Sequence, residues 1–245
     1  MKQGLTKIVL VEPIGPINLG SIARLCENFG INELRLVSPR CDPNNPEARK
    51  MALKGKYLLE NAKIYTSLLD AIADCPLVIA TCGRIDHGDI PLHKAEEALG
   101  WINSHPKSTP TAIIFGREDR GLTNQELLLA NKVISVETGS SYPSLNLSHA
   151  VAIVLYELLK VNCSKKKPEK TEQFIPALPK ELDNFLEDSK KLLLEIGFLL
   201  NHTSQSRMNK LRSFLHRAEI RSQEVSLMRG ILRQVRWAIH HNKKN

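Results

Sequence analysis

Short, nearly continuous apolar runs alternate with helix-like stretches through the first 160 residues, and this alternation constrains the fold most. The runs predict strands at 7–12, 33–38, 77–82, 111–116 and 132–136, with a weaker one at 63–66. Strands without polar alternation are typical of a parallel sheet buried on both faces. Helical patterns at 20–29, 46–61, 68–74, 91–104, 124–131 and 147–162 complete the alternation. We therefore predict an α/β domain with a mostly parallel sheet and helices on both faces.

The remainder of the chain has a different character. The stretch Ser164–Lys170 is polar, charged and interrupted by proline, which predicts a linker. Beyond it, apolar residues at three- and four-residue steps predict helices at 180–200 and 205–241, with a break near 220–223. We expect the α/β domain at 1–163, a linker at 164–179 and a helical extension at 180–245.

The net charge of +8 is concentrated in one segment. Lys and Arg balance Asp and Glu through residue 200, whereas residues 201–245 hold ten basic residues against two acidic ones. This asymmetry favours a polyanionic partner for the extension, either nucleic acid or an anionic membrane surface. A merely solvated basic face is the alternative. Arg229, Arg233 and Arg236 share one helical spacing and are the candidate contacts with such a partner.

Several classes of protein are disfavoured by what the sequence lacks. There is no apolar run long enough to span a bilayer and no secretory leader, so we expect a cytoplasmic protein without a membrane partner. The five cysteines form no C-x-x-C pair, so neither a disulfide framework nor a metal site is expected. The dinucleotide fingerprint, the complete phosphate-binding loop and the G-x-S-x-G elbow are also missing.

Three polar segments follow predicted strands, where open parallel sheets place their ligands. In the first segment, Asn18 sits where a helix cap belongs, and Arg24 lies within an otherwise apolar helical stretch. Alone, these residues are equally explained as a cap and a surface charge.

The second and third segments are a loop and a helix start. The loop, Phe115–Leu122, carries two glycines and four consecutive charges, including Arg117 and Glu118. Glycine permits close approach of a ligand, although an ordinary charged loop is an alternative. In the third segment, Ser144, Asn146 and Ser148 surround the start of an apolar helix, and helix capping explains only one of them.

Together the segments resemble the three motifs of the TrmH (SpoU) family of SPOUT RNA 2′-O-methyltransferases, over about residues 5–160. The motifs are N-x-G-x-x-x-R from Asn18, F-G-x-E-x-x-G from Phe115 and S-L-N-x-S-x-A from Ser144. The basic extension, with Met228–Leu232, resembles that of family members that methylate the ribose of nucleotide 32 in the tRNA anticodon loop.

The resemblance implies a C-terminal trefoil knot near 138–160, a homodimer whose active site combines two chains, and S-adenosylmethionine as methyl donor. It places cofactor contacts at Thr81, Cys82, Gly83, Gly116, Val136, Ser144, Leu145 and Asn146. It assigns catalytic roles to Arg24, Asn18, Glu118, Ser144 and Asn146. Contacts with tRNA are expected from Arg24, Arg84, Arg117, Arg229, Arg233 and Arg236.

Family resemblance assigns Arg24 to activation of the hydroxyl, but arginine is in general a poor base because its neutral form is scarce. We expect Arg24 to anchor the target phosphate and to stabilise the emerging alkoxide, while the proton leaves to a neighbouring group or to water. Three alternatives stay open: methylation of another tRNA or rRNA site, an RNA-binding protein with a degenerate pocket, and a membrane-surface role for the basic tail.

Overall fold

The computed structural model describes residues 5–84, 87–139, 144–163 and 174–242. The chain divides into two compact units between Gln173 and Phe174. Of the predicted linker, residues 164–173 lie outside the described residues. The rest belongs to the second unit, because Ala177 is buried, its N–H donates to the Ile220 carbonyl at 2.8 Å, and Pro179 begins a helix. The linker expected at 164–179 is thus too long by its last six residues.

The first unit is built on a seven-stranded sheet. In chain order its strands are β1 (Thr6–Val11), β2 (Glu33–Val37), β3 (Lys63–Tyr65), β4 (Leu77–Thr81), β5 (Leu92–Lys94), β6 (Thr111–Phe115) and β7 (Lys132–Ser135). They are arranged β3-β2-β1-β6-β4-β7-β5, and every neighbouring pair is parallel. All strands therefore end at the same edge, which places the segments that follow them side by side.

Helices cover both faces of this sheet, as predicted. Along β1, Ile8 and Leu10 point into one core and Val9 and Val11 into the other. The first core is closed by α1 (Pro16–Asn28), α2 (Pro46–Ala52), α3 (Lys56–Glu60), α5 (Ala95–Ile102) and α7 (Leu147–Cys163). The second is closed by α4 (Leu68–Ala71) and α6 (Asn124–Leu127).

Close packing fixes α1, the helix that carries the first motif. A side chain on Gly20 would place its Cβ 2.2 Å from the Ala48 carbonyl oxygen of α2. A Cβ on Gly55, in the 3₁₀ turn Leu53–Gly55, would lie 2.4 Å from the Ala23 carbonyl oxygen. Because no side chain fits between these backbones, glycine lets α1 lie directly on its neighbours.

Three predictions of local structure were wrong. Strand β5 occupies 92–94, where a helix was expected to begin at 91. The single helix expected at 46–61 is broken at Leu53, which has a φ of +48°. Helix α1 begins at Pro16 rather than at 20, because proline pre-sets the first-turn conformation.

Buried thiols pack in both cores of the first unit. Burial raises the pKa of Cys26 and of Cys75 to about 12, which leaves both as neutral packing groups. All five cysteines are unpaired. Residues 140–143, within the segment expected to thread the knot, lie outside the described residues, so the knot stays a prediction.

The second unit is a three-helix bundle of α8 (Pro179–Glu195), α9 (Ser204–Arg217) and α10 (Ser222–Asn242). Its core includes Phe185, Leu186, Met208 and Val225. The two C-terminal helices separate at 218–221, where Glu219 has a φ of +50°, close to the predicted break. Among the described residues, no helix is both long and apolar enough to cross a membrane.

Candidate active site

A cavity of about 400 Å³ opens where β4, β6 and β7 end. Seven of the eight predicted cofactor contacts line it: Thr81, Cys82, Gly83, Gly116, Val136, Ser144 and Leu145. The eighth, Asn146, lies next to them at the start of α7. Sequence reasoning missed the apolar wall that Phe115 and Leu147 contribute. A volume of this size, with mixed polar and apolar walls, is typical of a small-molecule site.

The loop after β6 forms one wall of the cavity and is held in a tight turn. Arg117 and Gly121 exchange backbone hydrogen bonds of 3.4 and 3.0 Å, and Gly121 has a φ of +67°. A Cβ on Gly116 would lie 2.3 Å from the Gly121 carbonyl carbon and the Leu122 nitrogen. Both glycines of the motif are therefore required by the shape of this turn.

Glu118 ties this loop to the first motif. Its carboxylate accepts hydrogen bonds from the backbone N–H groups of Ile14 and Gly15, at 3.1–3.2 Å. It also accepts from the Asn18 amide nitrogen at 3.5 Å. These donors precede or open α1, so the carboxylate fixes the start of that helix against the cavity wall.

Asn18 in turn links to the third motif. The Asn146 amide donates to Asn18 Oδ1 at 3.1 Å, across 128 positions of sequence. Asn146 Oδ1 accepts from the Ser148 N–H at 2.8 Å and the Ser148 hydroxyl at 2.7 Å, which caps α7. Asn18 itself is not a cap, contrary to the prediction: it lies inside α1, whose N-cap is Gly15.

Glu118, Asn18, Asn146 and Ser148 thus form a continuous hydrogen-bonded chain beside the cavity, which we call the polar relay. It joins all three motifs. Because each asparagine amide both donates and accepts a hydrogen bond within the polar relay, the orientations of the Asn18 and Asn146 side chains are fixed.

Arg24 is not among the residues that line the cavity. It is exposed on α1, two turns beyond Ile17, and among the described residues it forms no hydrogen bond or ion pair. A guanidinium free of protein partners keeps all its donors available for an anionic ligand.

Arg117 is placed differently from the predicted RNA contact. Its side chain is 8% exposed and pairs with Glu12 and with both carboxylate oxygens of Glu126, at 2.9 and 3.0 Å. The hydrogen bond from Arg117 is the main cause that lowers the pKa of Glu12 to about 2. Both terminal nitrogens of Arg117 are engaged within the protein, and its buried Nε has no partner among the described residues. Arg117 therefore braces the loop and presents little exposed surface for the predicted RNA contact.

Glu12 is a residue that sequence reasoning missed. It directly follows β1 with a φ of +47°, and Arg40, Arg117 and Arg120 all converge on its carboxylate. The sequence signal that could have identified Glu12 is a charged residue directly after a buried strand.

Arg84, another predicted RNA contact, lines the cavity and donates to Asn124 at 2.7 Å.

The arginines of the extension are not equivalent. Arg229 lies 3.3 Å from a carboxylate oxygen of Asp188, and Arg236 lies 3.9 Å from one of Glu195. Arg233 is exposed and has no ion pair or hydrogen bond within the described ranges. Among the described residues, no group of three or more His, Cys, Asp or Glu side chains could hold a metal ion.

Comparison with known families defines the class of protein. Residues 6–156 match the SpoU rRNA methylase family. The chain belongs to this family of S-adenosylmethionine-dependent RNA methyltransferases. Residues 180–244 match a second model, the C-terminal domain of the tRNA methyltransferase TrmJ.

Individual relatives narrow this class. The tRNA (cytidine/uridine-2′-O-)-methyltransferase TrmJ of Escherichia coli K12 is 34% identical over 242 residues, which cover 97% of each chain. The structure of TrmJ from Z. mobilis ZM4 aligns with a TM-score of 0.81 and 29% identity, over 94% of this chain and 99% of that one. A probable methylase family protein from Haemophilus influenzae Rd KW20 aligns with a TM-score of 0.61 and 31% identity, over 98% and 99%. The resemblance to the family is confirmed over both units.

Proposed function

We propose that this protein methylates the ribose 2′-hydroxyl of a cytidine or uridine in tRNA, at nucleotide 32 of the anticodon loop. The polar relay carries the proposal, because it joins the three motifs at one end of the sheet, beside a cavity of suitable size. The names of the TrmJ relatives support tRNA and the 2′-oxygen. The assignment to nucleotide 32 rests on the resemblance of the C-terminal extension. A cytoplasmic location would follow from tRNA being the substrate.

The residues of the cavity fit S-adenosylmethionine. Leu145, Leu147 and Val136 offer apolar contacts for an adenosine, while Thr81 and Ser144 add hydroxyl groups. Arg84 lines the same cavity, and its buried Nε has no hydrogen-bond partner among the described residues. An acceptor on a bound ligand would satisfy that donor. When bound, S-adenosylmethionine supplies an electrophilic methyl group carried on a sulfonium.

The chain's own residues would orient the nucleotide and stabilise charge. Arg24 would bind the phosphate beside the target ribose and stabilise the oxygen as its proton departs. The polar relay would hold Asn18 and Asn146 in fixed orientations around the ribose. The hydroxyl proton would pass to water or a neighbouring acceptor as the oxygen–methyl bond forms and the sulfur–methyl bond breaks.

The pH dependence of Arg24 variants tests the role of this side chain. We expect Arg24→Lys to keep part of the activity with an unchanged pH profile, because lysine also binds phosphate, and Arg24→Ala to lose most activity at every pH. Single-turnover rates between pH 6 and 10 measure this. If Arg24→Lys regained nearly full activity only at high pH, a general-base role would replace ours.

We further propose that the protein acts as a homodimer whose sites combine two chains. Helices α1 and α7 pack side by side and expose Ile17, Ile153 and Tyr156, with Tyr156 54% exposed. Arg24 shares the exposed side of α1 and lies outside its own chain's cavity. A second copy on this apolar surface would bury it and bring Arg24 to a partner's cavity.

Complementation between two inactive variants tests this arrangement. Arg24→Ala removes the guanidinium, and Leu145→Asp places a charge in the cavity. Mixed and refolded together, they should regain up to about one quarter of wild-type activity, because half of the dimers would contain one intact composite site. If Arg24 serves its own chain, the mixture stays inactive.

Nucleoside mapping tests the reaction itself. Purified protein, S-adenosylmethionine and unmodified tRNA should yield 2′-O-methylcytidine or 2′-O-methyluridine at nucleotide 32. Methylation at another tRNA position or in rRNA would keep the chemistry but overturn the site. Absence of product, with RNA bound and S-adenosylmethionine not bound, would indicate a degenerate pocket.

A further inference from the structure

Trp237 is an exposed aromatic residue on α10 with an unusual neighbour. Its side chain is 54% exposed, and the His241 imidazole stacks on the indole with ring centroids 4.2 Å apart and planes inclined by 29°. The His241 ring nitrogen Nδ1 lies 3.3 Å from the Trp237 carbonyl oxygen, which fixes the imidazole in place. The imidazole thus covers part of the indole, while much of the indole still faces solvent.

The surroundings of this indole favour an anionic partner. After Glu224, α10 carries three arginines and no acidic residue. Arg229 and Arg236 are engaged by Asp188 and Glu195 of α8. Arg233 precedes Trp237 by one helical turn, so the two side chains are neighbours on α10. Because Arg233 is exposed and has no ion pair in the described part of the chain, its charge is available.

The exposed apolar residues of α10 lie on a different side of the helix. Leu227, Ile231 and Val235 follow one another at four-residue steps. Trp237 is two positions beyond Val235, a rotation of about 200° around the helix. The indole is therefore separate from that apolar stripe and is flanked along the helix by Arg233 and His241.

We propose that Trp237, supported by His241 and flanked by Arg233, is a stacking platform for an unpaired base of the RNA substrate. Stacking uses the π-face that every base has, and a neighbouring cation binds the phosphate backbone. The inference rests on the proposed function, since it takes RNA as substrate. It adds a binding role for the face of α10 that carries Trp237.

Fluorescence isolates this site, because the chain has only two tryptophans. In a Trp101→Phe variant, Trp237 is the sole indole, and a short single-stranded oligouridylate should quench its emission. A duplex RNA of equal length should quench it much less, since its bases are already stacked. Equal quenching by both, or quenching by neither, would overturn the stacking arrangement.

Binding of tRNA to full-length variants separates stacking from charge. Trp237→Leu should weaken Kd about tenfold, with the salt dependence unchanged, whereas Trp237→Phe should retain most of the affinity. Arg233→Gln should lower the slope of log Kd against log salt by about one. Wild-type affinity in Trp237→Leu, or a changed oligomeric state with unchanged RNA binding, would assign this face to protein contacts instead.

The outcomes for the stacking platform and for the proposed methylation can be told apart. The titrations contain no S-adenosylmethionine, so quenching by RNA without any methylation would remove the proposed reaction and keep the platform. Methylation by Trp237→Leu with a wild-type KM for tRNA would remove the platform and keep the reaction.

Discussion

The ion-pair network around Arg117 offers a sharp test of how the cavity wall is held. We expect Arg117→Met to destabilise the first unit, because methionine fills the volume but leaves Glu12 and Glu126 without their main partner. The two carboxylates are only 19% and 18% exposed, so water compensates them poorly. Removal of one partner from a buried pair typically costs about 3–5 kcal/mol.

The lowered pKa of Glu12 gives a second value for the free energy that its ion pairs contribute to stability. The drop from an ordinary value of 4.5 to about 2 corresponds to about 3 kcal/mol, which Arg117 shares with Arg40, so it is an upper bound on what Arg117 contributes through Glu12. Because the pKa is lowered in the folded state, this stabilisation is complete above the unfolded value. It is lost as pH falls toward 2. We therefore expect a difference of about 3 kcal/mol between wild type and Arg117→Met at pH 7, smaller by about 1 kcal/mol at pH 3.5.

Urea unfolding measures this difference. In a Trp237→Phe background, Trp101 on α5 reports the first unit alone. Arg120→Met is the matched control, because Arg120 approaches the same Glu12 carboxylate at 3.4 Å but is 53% exposed. Arg120→Met should lower the free energy of unfolding by less than about 1 kcal/mol. Equal destabilisation by the two variants, or a difference that does not shrink in acid, would refute the reasoning.

Three further variants probe other parts of the account. Gly20→Val should unfold the first unit or lower its Tm by over about 10 °C, because a Cβ would lie 2.2 Å from the Ala48 oxygen; a normal melt would contradict this. Asn146→Ala should lower the single-turnover rate constant about 10- to 100-fold while tRNA affinity changes little. An unchanged rate constant would show that the polar relay has no role in catalysis. Ile17→Arg should yield monomers by light scattering; a persistent dimer would place the interface elsewhere.

Much of the first unit could be predicted because its strands are buried on both faces. Residues 111–115, for instance, are all buried, and such runs carry a signal that does not depend on the rest of the fold. Strand β5 escaped prediction for the opposite reason. It has three residues, Leu92–Lys94, with no apolar pattern, and only its pairing with β7 makes it a strand.

The sequence predicted which motifs form the site but not how their side chains are arranged in space. The hydrogen bond between Asn146 and Asn18 spans 128 positions, and no local pattern could reveal it. The motif likewise could not show that Arg117 is buried, because its partner Glu12 lies 105 positions away. Long-range pairing decides which of the charged loop residues are free to bind a ligand.

The proposed function requires the cavity at the strand ends to bind the methyl donor, and calorimetric titration with S-adenosylmethionine tests this directly. We predict saturable binding to the wild-type protein and loss of binding in Leu145→Asp, with the unfolding transition of that variant intact. Absence of binding to the wild type, or undiminished binding to Leu145→Asp, would contradict the account.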